Sequence, residues 1–315
     1  MQPNPTRSTQ TATKLLFTRM PTLSSTSHAA LALLLVAAAS MVEAFSAAAT
    51  PGTVPSIIVG GGRIGSLLKD LGTDADVIVK RGEPIPSEPS SGPIYVCTRN
   101  DVLADVVAAT PQNRRGDLCF LQNGMLGDFI AEQGLPADTT QCLLYLAVPS
   151  LGAPPIDGIT SLNPEGLTAA AGKWAEELAG RLNRGNLKCN LKQGDDFMAA
   201  ALEKHIFICA TNVIGQINGG VNFGEVYSEK YAQQRNKLID EMVAAGSKKV
   251  GVTLQPGTAD RLAAYAASVA DFPTGVKEFE WRNGWFYSIS KEAMEAGEED
   301  PMPFHTEALK TLGVL

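Results

Sequence analysis

The chain has 315 residues, 44% of them hydrophobic, and a formal net charge of -7 at pH 7. That length and apolar content leave room for two domains with cores of their own and exclude a disordered, collagenous or coiled-coil chain. The acidic balance argues against non-specific nucleic-acid binding, which needs a basic face to displace counterions.

Residues 1–28 carry Arg7, Lys14 and Arg19 among Ser and Thr without an acidic residue, and the apolar run AALALLLVAAASMV follows at 29–42. The run is short and small-residued for a membrane span and has the character of a signal-peptide core. Val42 and Ala44 flank a cleavage point before Phe45, and FSAAATPGTVPS over 45–56 is hydroxylated and acid-free. A signal, then Phe, then a Ser/Thr/Ala stretch resembles the bipartite presequence of plastid proteins in algae with secondary red plastids. An ordinary secretory signal is the alternative, and Met20 offers a second start. The expectation is a targeting segment over 1–44, a transit-like linker over 45–56, a plastid destination, and no stable membrane association once the presequence is removed.

SIIVGGGRIGSLLKDLG (56–72) predicts a short strand, a glycine turn and a helix start. Gly60, Gly62 and Gly65 fit GxGxxG, in which the glycines serve the tight turn, the approach to a pyrophosphate and helix-strand packing. The pyrophosphate would sit on the free N–H groups of the helix N-terminus. DADVIVKRGEP (74–84) predicts the second strand, and its end carries Lys80 and Arg81 where an NAD site would place an acid for the ribose hydroxyl. A guanidinium there suits the 2'-phosphate of NADPH; two solvated cations at a strand end are the plainer alternative.

GEPIPSEPSSGP (82–93) is a loop. GPIYVCTRNDVLADVVAA (92–109) predicts a third strand with Arg99 at its carboxyl edge, a second 2'-phosphate candidate. GDLCFLQNGM (116–125) is a fourth strand ending in Asn123-Gly124, where an Asn can orient a nicotinamide or a substrate and Asn-Gly can equally be a plain turn. QCLLYLAVPSL (141–151) and GITSLNP (158–164) are expected as strands, EGLTAAAGKWAEELAGRLN (165–183) as a helix and LKCNLK (187–192) as a short strand. From GDDFMAAALEKHIF onward the pattern is helical. One long helix carries Lys204, Ile208 and Asn212 on one stripe, with Gly219-Gly220 ending it, and further helices are expected over 221–246 and 258–272. The five cysteines, Cys97, Cys119, Cys142, Cys189 and Cys209, lack CxxC spacing and fit reduced core thiols. His28, His205 and His305 have no partners at ligand spacing, so no metal site is expected.

The order of GxGxxG, the cationic second-strand end, LQNGM, EKHIFICATN, VNFGE, KEFEWRNG and DPMPFHTEALKTL resembles the ketopantoate reductase family over residues 57–315. The resemblance implies an α/β Rossmann NADP-binding domain over 57–194 and an all-helical substrate domain over 195–315, like the C-terminal domain of 6-phosphogluconate dehydrogenase. It implies NADPH as cofactor, Lys204 as proton donor to the ketone oxygen and Glu278 as the carboxylate on a substrate hydroxyl. It further implies Asn212, Asn222 and Ser268 on the substrate, Asn123 at the nicotinamide edge and Arg99 at the 2'-phosphate, and it leaves a homodimer open. An ammonium beside a carbonyl that receives hydride stabilises the nascent oxyanion and delivers a proton, worth typically 10²- to 10⁴-fold. Glu278 is expected to keep that lysine charged. The chain departs from the family pattern at Ile208, where an asparagine is usual, in the shortened 82–93 region, and after LYLAVPS. Three functions stay open: a ketopantoate reductase, a reductase of another, less polar 2-keto acid, and a catalytically silent dinucleotide-binding sensor or partner.

Overall fold

A computed structural model describes residues 50–315. The targeting segment read over 1–44 lies outside the described residues, as does the linker up to residue 49. In chain order the strands are β1 Ile57–Val59, β2 Val77–Val79, β3 Ile94–Val96, β4 Leu118–Phe120, β5 Thr140–Leu143, β6 Leu146–Ala147, β7 Ile156–Asp157, β8 Ala169–Ala171 and β9 Asn190–Leu191. Seven of them form one sheet in the order β2-β1-β3-β4-β5-β8-β9, and β6 pairs with β7 as a separate ribbon. The first five run parallel, with Ile57 opposite both Val77 and Ile94. β8 is antiparallel to β5, and β9 runs parallel to β8.

The three-residue strands β1, β3 and β4 are buried throughout because alternate side chains feed two different cores. Ile57, Val59, Ile94, Val96, Leu118 and Phe120 point to one face, covered by helices α2 (Leu103–Ala109) and α3 (Gly127–Glu132). Ile58, Tyr95 and Cys119 point to the other, covered by α1 (Arg63–Asp70) and α4 (Ala175–Arg184). Between β2 and β3 the expected loop stands in for a crossover helix. Its Ile85 packs on the α2 core, and Arg114 ties it down by donating to Pro89 O and Gly92 O. The chain passes from β1 to β2 on one side and then to β3 on the other, so a crevice opens at the carboxyl ends of β1 and β3.

Residues 52–56, expected as linker, are docked: Gly52 and Val54 donate backbone N–H groups to Glu177, and Ser56 donates to Asp76. Asp76 in turn pairs with the fully buried Arg181 at 2.8 Å. The helix expected over 165–183 begins only at Ala175, and its first half forms β8. Gly172 explains the break, because its φ is +100° and a side chain there would stand 2.6 Å from Asp138 O. GITSLNP forms no strand; Thr160 and Asn163 exchange backbone hydrogen bonds in a local turn instead.

The second layer turns about α5 (Gly194–Ile217). By length and composition this helix passes for a membrane span, yet 78% of its apolar window is buried, which is the signature of a core axis. Around it pack α6 (Phe223–Val226), α7 (Ala232–Val250), α8 (Thr258–Ser268), α9 (Asn283–Glu295) and α10 (Pro303–Thr311). The single helix expected over 221–246 is divided because Ser228 Oγ donates to Glu225 O where α6 ends, and α7 starts afresh. Phe197 and Ala201 of α5 pack on Leu143 and on Ala169 and Ala171 of β8, joining the two layers.

Candidate active site

Gly60 sits at the end of β1 with φ +106°, where a side chain would stand 2.8 Å from Cys97 O. Gly65, one turn into α1, is buried so closely on the strand that a Cβ would fall 1.9 Å from Gly60 O. Gly62 is the opposite case: a Cβ there meets nothing within 4 Å. It caps α1 in an extended conformation with no side-chain bond, leaving the first-turn N–H groups directed outward. Tight turn, open face and close packing thus fall on the three glycines as the motif requires.

Beside this loop lies a cleft of about 900 Å³ that Gly60, Gly61, Arg81, Thr98 and Arg99 help to line. Its volume and its position on a helix N-terminus suit a dinucleotide. Arg81 is exposed and makes no ion pair among the described residues, whereas Arg99 lies 3.3 Å from the equally exposed Asp101. Lys80 keeps its side chain in solvent, and its backbone N–H donates to Glu83.

A chain of hydrogen bonds runs from this cleft into the helical layer. Gln122 donates to Val96 O and Thr98 O, fixing the ends of β3 and β4 against each other. Asn123, next in sequence, accepts from Lys204 Nζ through Oδ1 and from Asn100 Nδ2 through its backbone carbonyl. The Asn100 backbone N–H donates to Glu278 Oε1 at 3.1 Å, and Glu278 Oε2 accepts from Arg282 Nη2 at 2.5 Å. Gly124 permits the junction, since with φ +133° a Cβ would lie 2.7 Å from Trp281 O. The Asn123-Gly124 pair is therefore more than a turn: it seats the 278–282 segment on the sheet.

Lys204 is 6% exposed and lies 5.5 Å from the centre of the Tyr145 ring. Burial pushes its ammonium down to about 7, with the nearby Arg282 guanidinium acting in the same direction. The expected pairing of Lys204 with Glu278 is absent. Both carboxylate oxygens of Glu278 are taken, by the Asn100 N–H and by Arg282, and the lysine is held by a neutral amide oxygen instead.

The remaining expected residues are placed apart from this chain of contacts. Asn212 is buried on the Lys204 stripe, donates to Ile208 O and accepts from Gly275 N, tying α5 to the segment that leads to Glu278. Ile208 between them is partly exposed. Asn222 is exposed and accepts from Glu225 N as the cap of α6. Ser268 donates to Tyr265 O at the end of α8. Neither Asn222 nor Ser268 hydrogen-bonds to Lys204, Asn123 or Glu278 in this structure. Asn100, Arg282 and Tyr145 belong to the site but did not stand out in the sequence. Asn100 directly follows the Arg99 already singled out, and Arg282 lies inside the KEFEWRNG motif.

No protein-family model matches the sequence, and no curated protein matches it. Solved structures do share its fold. A D-mandelate dehydrogenase with NADH and anilino(oxo)acetate superposes with a TM-score of 0.59 at 14% identity, over 82% of this chain and 97% of that one. A PanE/ApbA family ketopantoate reductase from Ralstonia eutropha JMP134 gives 0.55 at 14% identity, over 81% and 98%. A 2-dehydropantoate 2-reductase from Geobacter metallireducens GS-15 gives 0.55 at 15% identity, over 82% and 99%. At these identities the likeness fixes the fold: a Rossmann-like sheet domain followed by a helical one.

Proposed function

We propose that the chain is an NADPH-dependent reductase of a small 2-keto acid, with 2-dehydropantoate as the first substrate to test and pantothenate and coenzyme A synthesis as the setting. The observation that carries this reading is Lys204: a buried ammonium poised near neutrality, held by an asparagine on the strand end next to the glycine-loop cleft. The nucleotide would supply hydride to the carbonyl carbon. Lys204 would stabilise the developing oxyanion and hand over its Nζ proton, while Asn123 fixes the ammonium through its Oδ1. Arg81 favours NADPH over NADH, being a guanidinium with no ion pair among the described residues, just past the end of β2 where an acid would be needed for a ribose diol. Delivery to plastids is proposed on residues 1–56 and is checked by imaging a fluorescent fusion of that segment; retention in the secretory pathway would refute it.

A second reading, a 2-keto acid less polar than 2-dehydropantoate, is favoured by Ile208 on the lysine stripe and by the engagement of both Glu278 oxygens. The test is NADPH oxidation by the purified protein with 2-dehydropantoate and a 2-keto acid panel, beside Lys204→Ala and an NADH control. Turnover that falls at least about 10²-fold in the variant, with NADPH preferred, supports the reductase. Nucleotide binding without turnover on any 2-keto acid would sink it and leave the silent sensor.

A further inference from the structure

Arg282 is a largely buried cation, joined to the reacting lysine through Glu278, Asn100 and Asn123, whose hydrogen-bonding capacity is mostly unspent. Its side chain is 16% exposed, and only Nη2 has a partner, Glu278. Its Nε is buried without any hydrogen-bond partner among the described residues. A guanidinium carries five N–H donors in a rigid fork, and leaving a buried one unmade costs about 1–3 kcal/mol. Such a cost persists at functional sites where a ligand completes the set.

The backbone around Arg282 holds it in place from two sides. Its carbonyl lies 3.1 Å from His205 Nε2, on the residue next to Lys204. Glu278, one turn earlier, has φ +48°, a left-handed conformation that non-glycine residues seldom adopt. That conformation aims its carboxylate at the Asn100 N–H and the guanidinium together. Each Glu278 oxygen thus already accepts one hydrogen bond, which commits the carboxylate to orienting Arg282, and a substrate hydroxyl would have to share it.

Charge gives the ligand class. With Lys204 protonated, the cluster of Lys204, Glu278 and Arg282 carries one net positive charge. A monoanion completes it, and a planar carboxylate is the anion that a guanidinium fork matches in geometry. Arg282 and Lys204 stand at the two ends of one hydrogen-bonded chain that runs through Glu278, Asn100 and Asn123. An acid bound by its carboxylate at Arg282 would turn its adjacent 2-keto group towards Lys204.

Resting on the reductase reading, we infer that Arg282 is the anchor for the substrate carboxylate, that Glu278 is its positioning residue, and that the substrates are 2-keto monocarboxylates needing no hydroxyl. Ile208, the partly exposed apolar residue one turn from Lys204, would suit a substrate side chain of that kind, having no polar group to satisfy.

The experiment is steady-state kinetics with NADPH on three compounds: 3,3-dimethyl-2-oxobutanoate, its 4-hydroxy counterpart 2-dehydropantoate, and the uncharged amide of the first. The wild type is expected to favour the acid over its amide by about 10²-fold in kcat/KM. It should treat the two acids within about fivefold of each other, since no group is set aside for the hydroxyl. Arg282→Gln should raise KM for the acid by about 30- to 100-fold with a smaller change in kcat, and should bring acid and amide within about threefold. Arg282→Lys, which keeps the charge and loses the fork, should fall between. NADPH affinity by fluorescence titration, within about threefold of wild type in both variants, separates a lost anchor from a lost fold. An unchanged KM for the acid in Arg282→Gln, or an equal loss on acid and amide, overturns the inference and leaves the reductase standing. A wild type inactive on all three compounds overturns both.

Discussion

Lys204 shows how one residue is set up for proton transfer and what that costs. Taking an ammonium out of water disfavours its charged form, and burial brings this one to about 7, where donation and recharging are balanced. In the reductive direction the protonated form is the donor, so kcat/KM should be flat below pH 7 and fall about tenfold per unit above it. Initial rates between pH 5.5 and 9.5 measure this, and a profile flat to pH 9 would remove Lys204 from the role of acid. Lys204 was legible in the sequence because helical spacing set it on a stripe with Asn212, and burial of both residues makes that stripe a wall of the interior. Arg282 was not, because its meaning comes from a contact between Glu278 and Asn100 that spans 178 positions. The same contact shows where Glu278 goes: the carboxylate that the family resemblance set beside the lysine is paired with a guanidinium four residues on.

At the scale of elements, the β1–α1 unit was legible down to single glycines, because each glycine there meets a local steric demand. Gly65→Ala would drive a methyl into Gly60 O and force helix and strand apart, costing about 1–3 kcal/mol of stability. Gly62→Ala points into open space at an ordinary φ of -75°, so it should leave the unfolding midpoint within about 0.5 kcal/mol while weakening nucleotide binding at least tenfold. Denaturation in urea and a nucleotide titration on both variants make the check, and equal stability losses would contradict the division of labour within the loop. The element misread most clearly was β8. Ala169, Ala170 and Ala171 carry helix propensity, but the small size of Ala169 and Ala171 is used to let α5 lie against the sheet, Ala170 faces the core under α4, and Gly172 stops any helix from running through. Propensity is a local preference, and here close packing between layers outweighs it.

At the scale of the whole molecule, the helical layer encloses titratable groups that its core can hold only when they are uncharged. His205 stacks on Phe286 at 5.0 Å, and His305 lies 3.0 Å from Asn283 Oδ1; each keeps a buried Nδ1 without a partner. Burial pushes them down to about 3 and about 4, from an ordinary value of 6.5. Between those limits the unfolded chain binds more protons than the folded one, so the stability these histidines provide is complete above pH 6.5 and is lost as pH falls towards 4 and 3. Lys204 adds a second window of the same sign, because its value of about 7 lies below the ordinary 10.5: stability rises again as pH climbs between them. Urea unfolding should therefore show a loss of about 2 kcal/mol per histidine between pH 6.5 and 4.5, above the range where the lowered Asp76 and Asp117 give way. A midpoint constant over that interval would mean that the histidines are already charged or already wet in the folded state. Between pH 7 and about 8.5, below the range where the buried thiols weigh against the folded state, the same series should rise for the wild type and stay level for Lys204→Met. The lysine that would supply the proton is thus also a standing strain on the fold, and a gain in stability at neutral pH on its removal would measure how much of that strain the site retains.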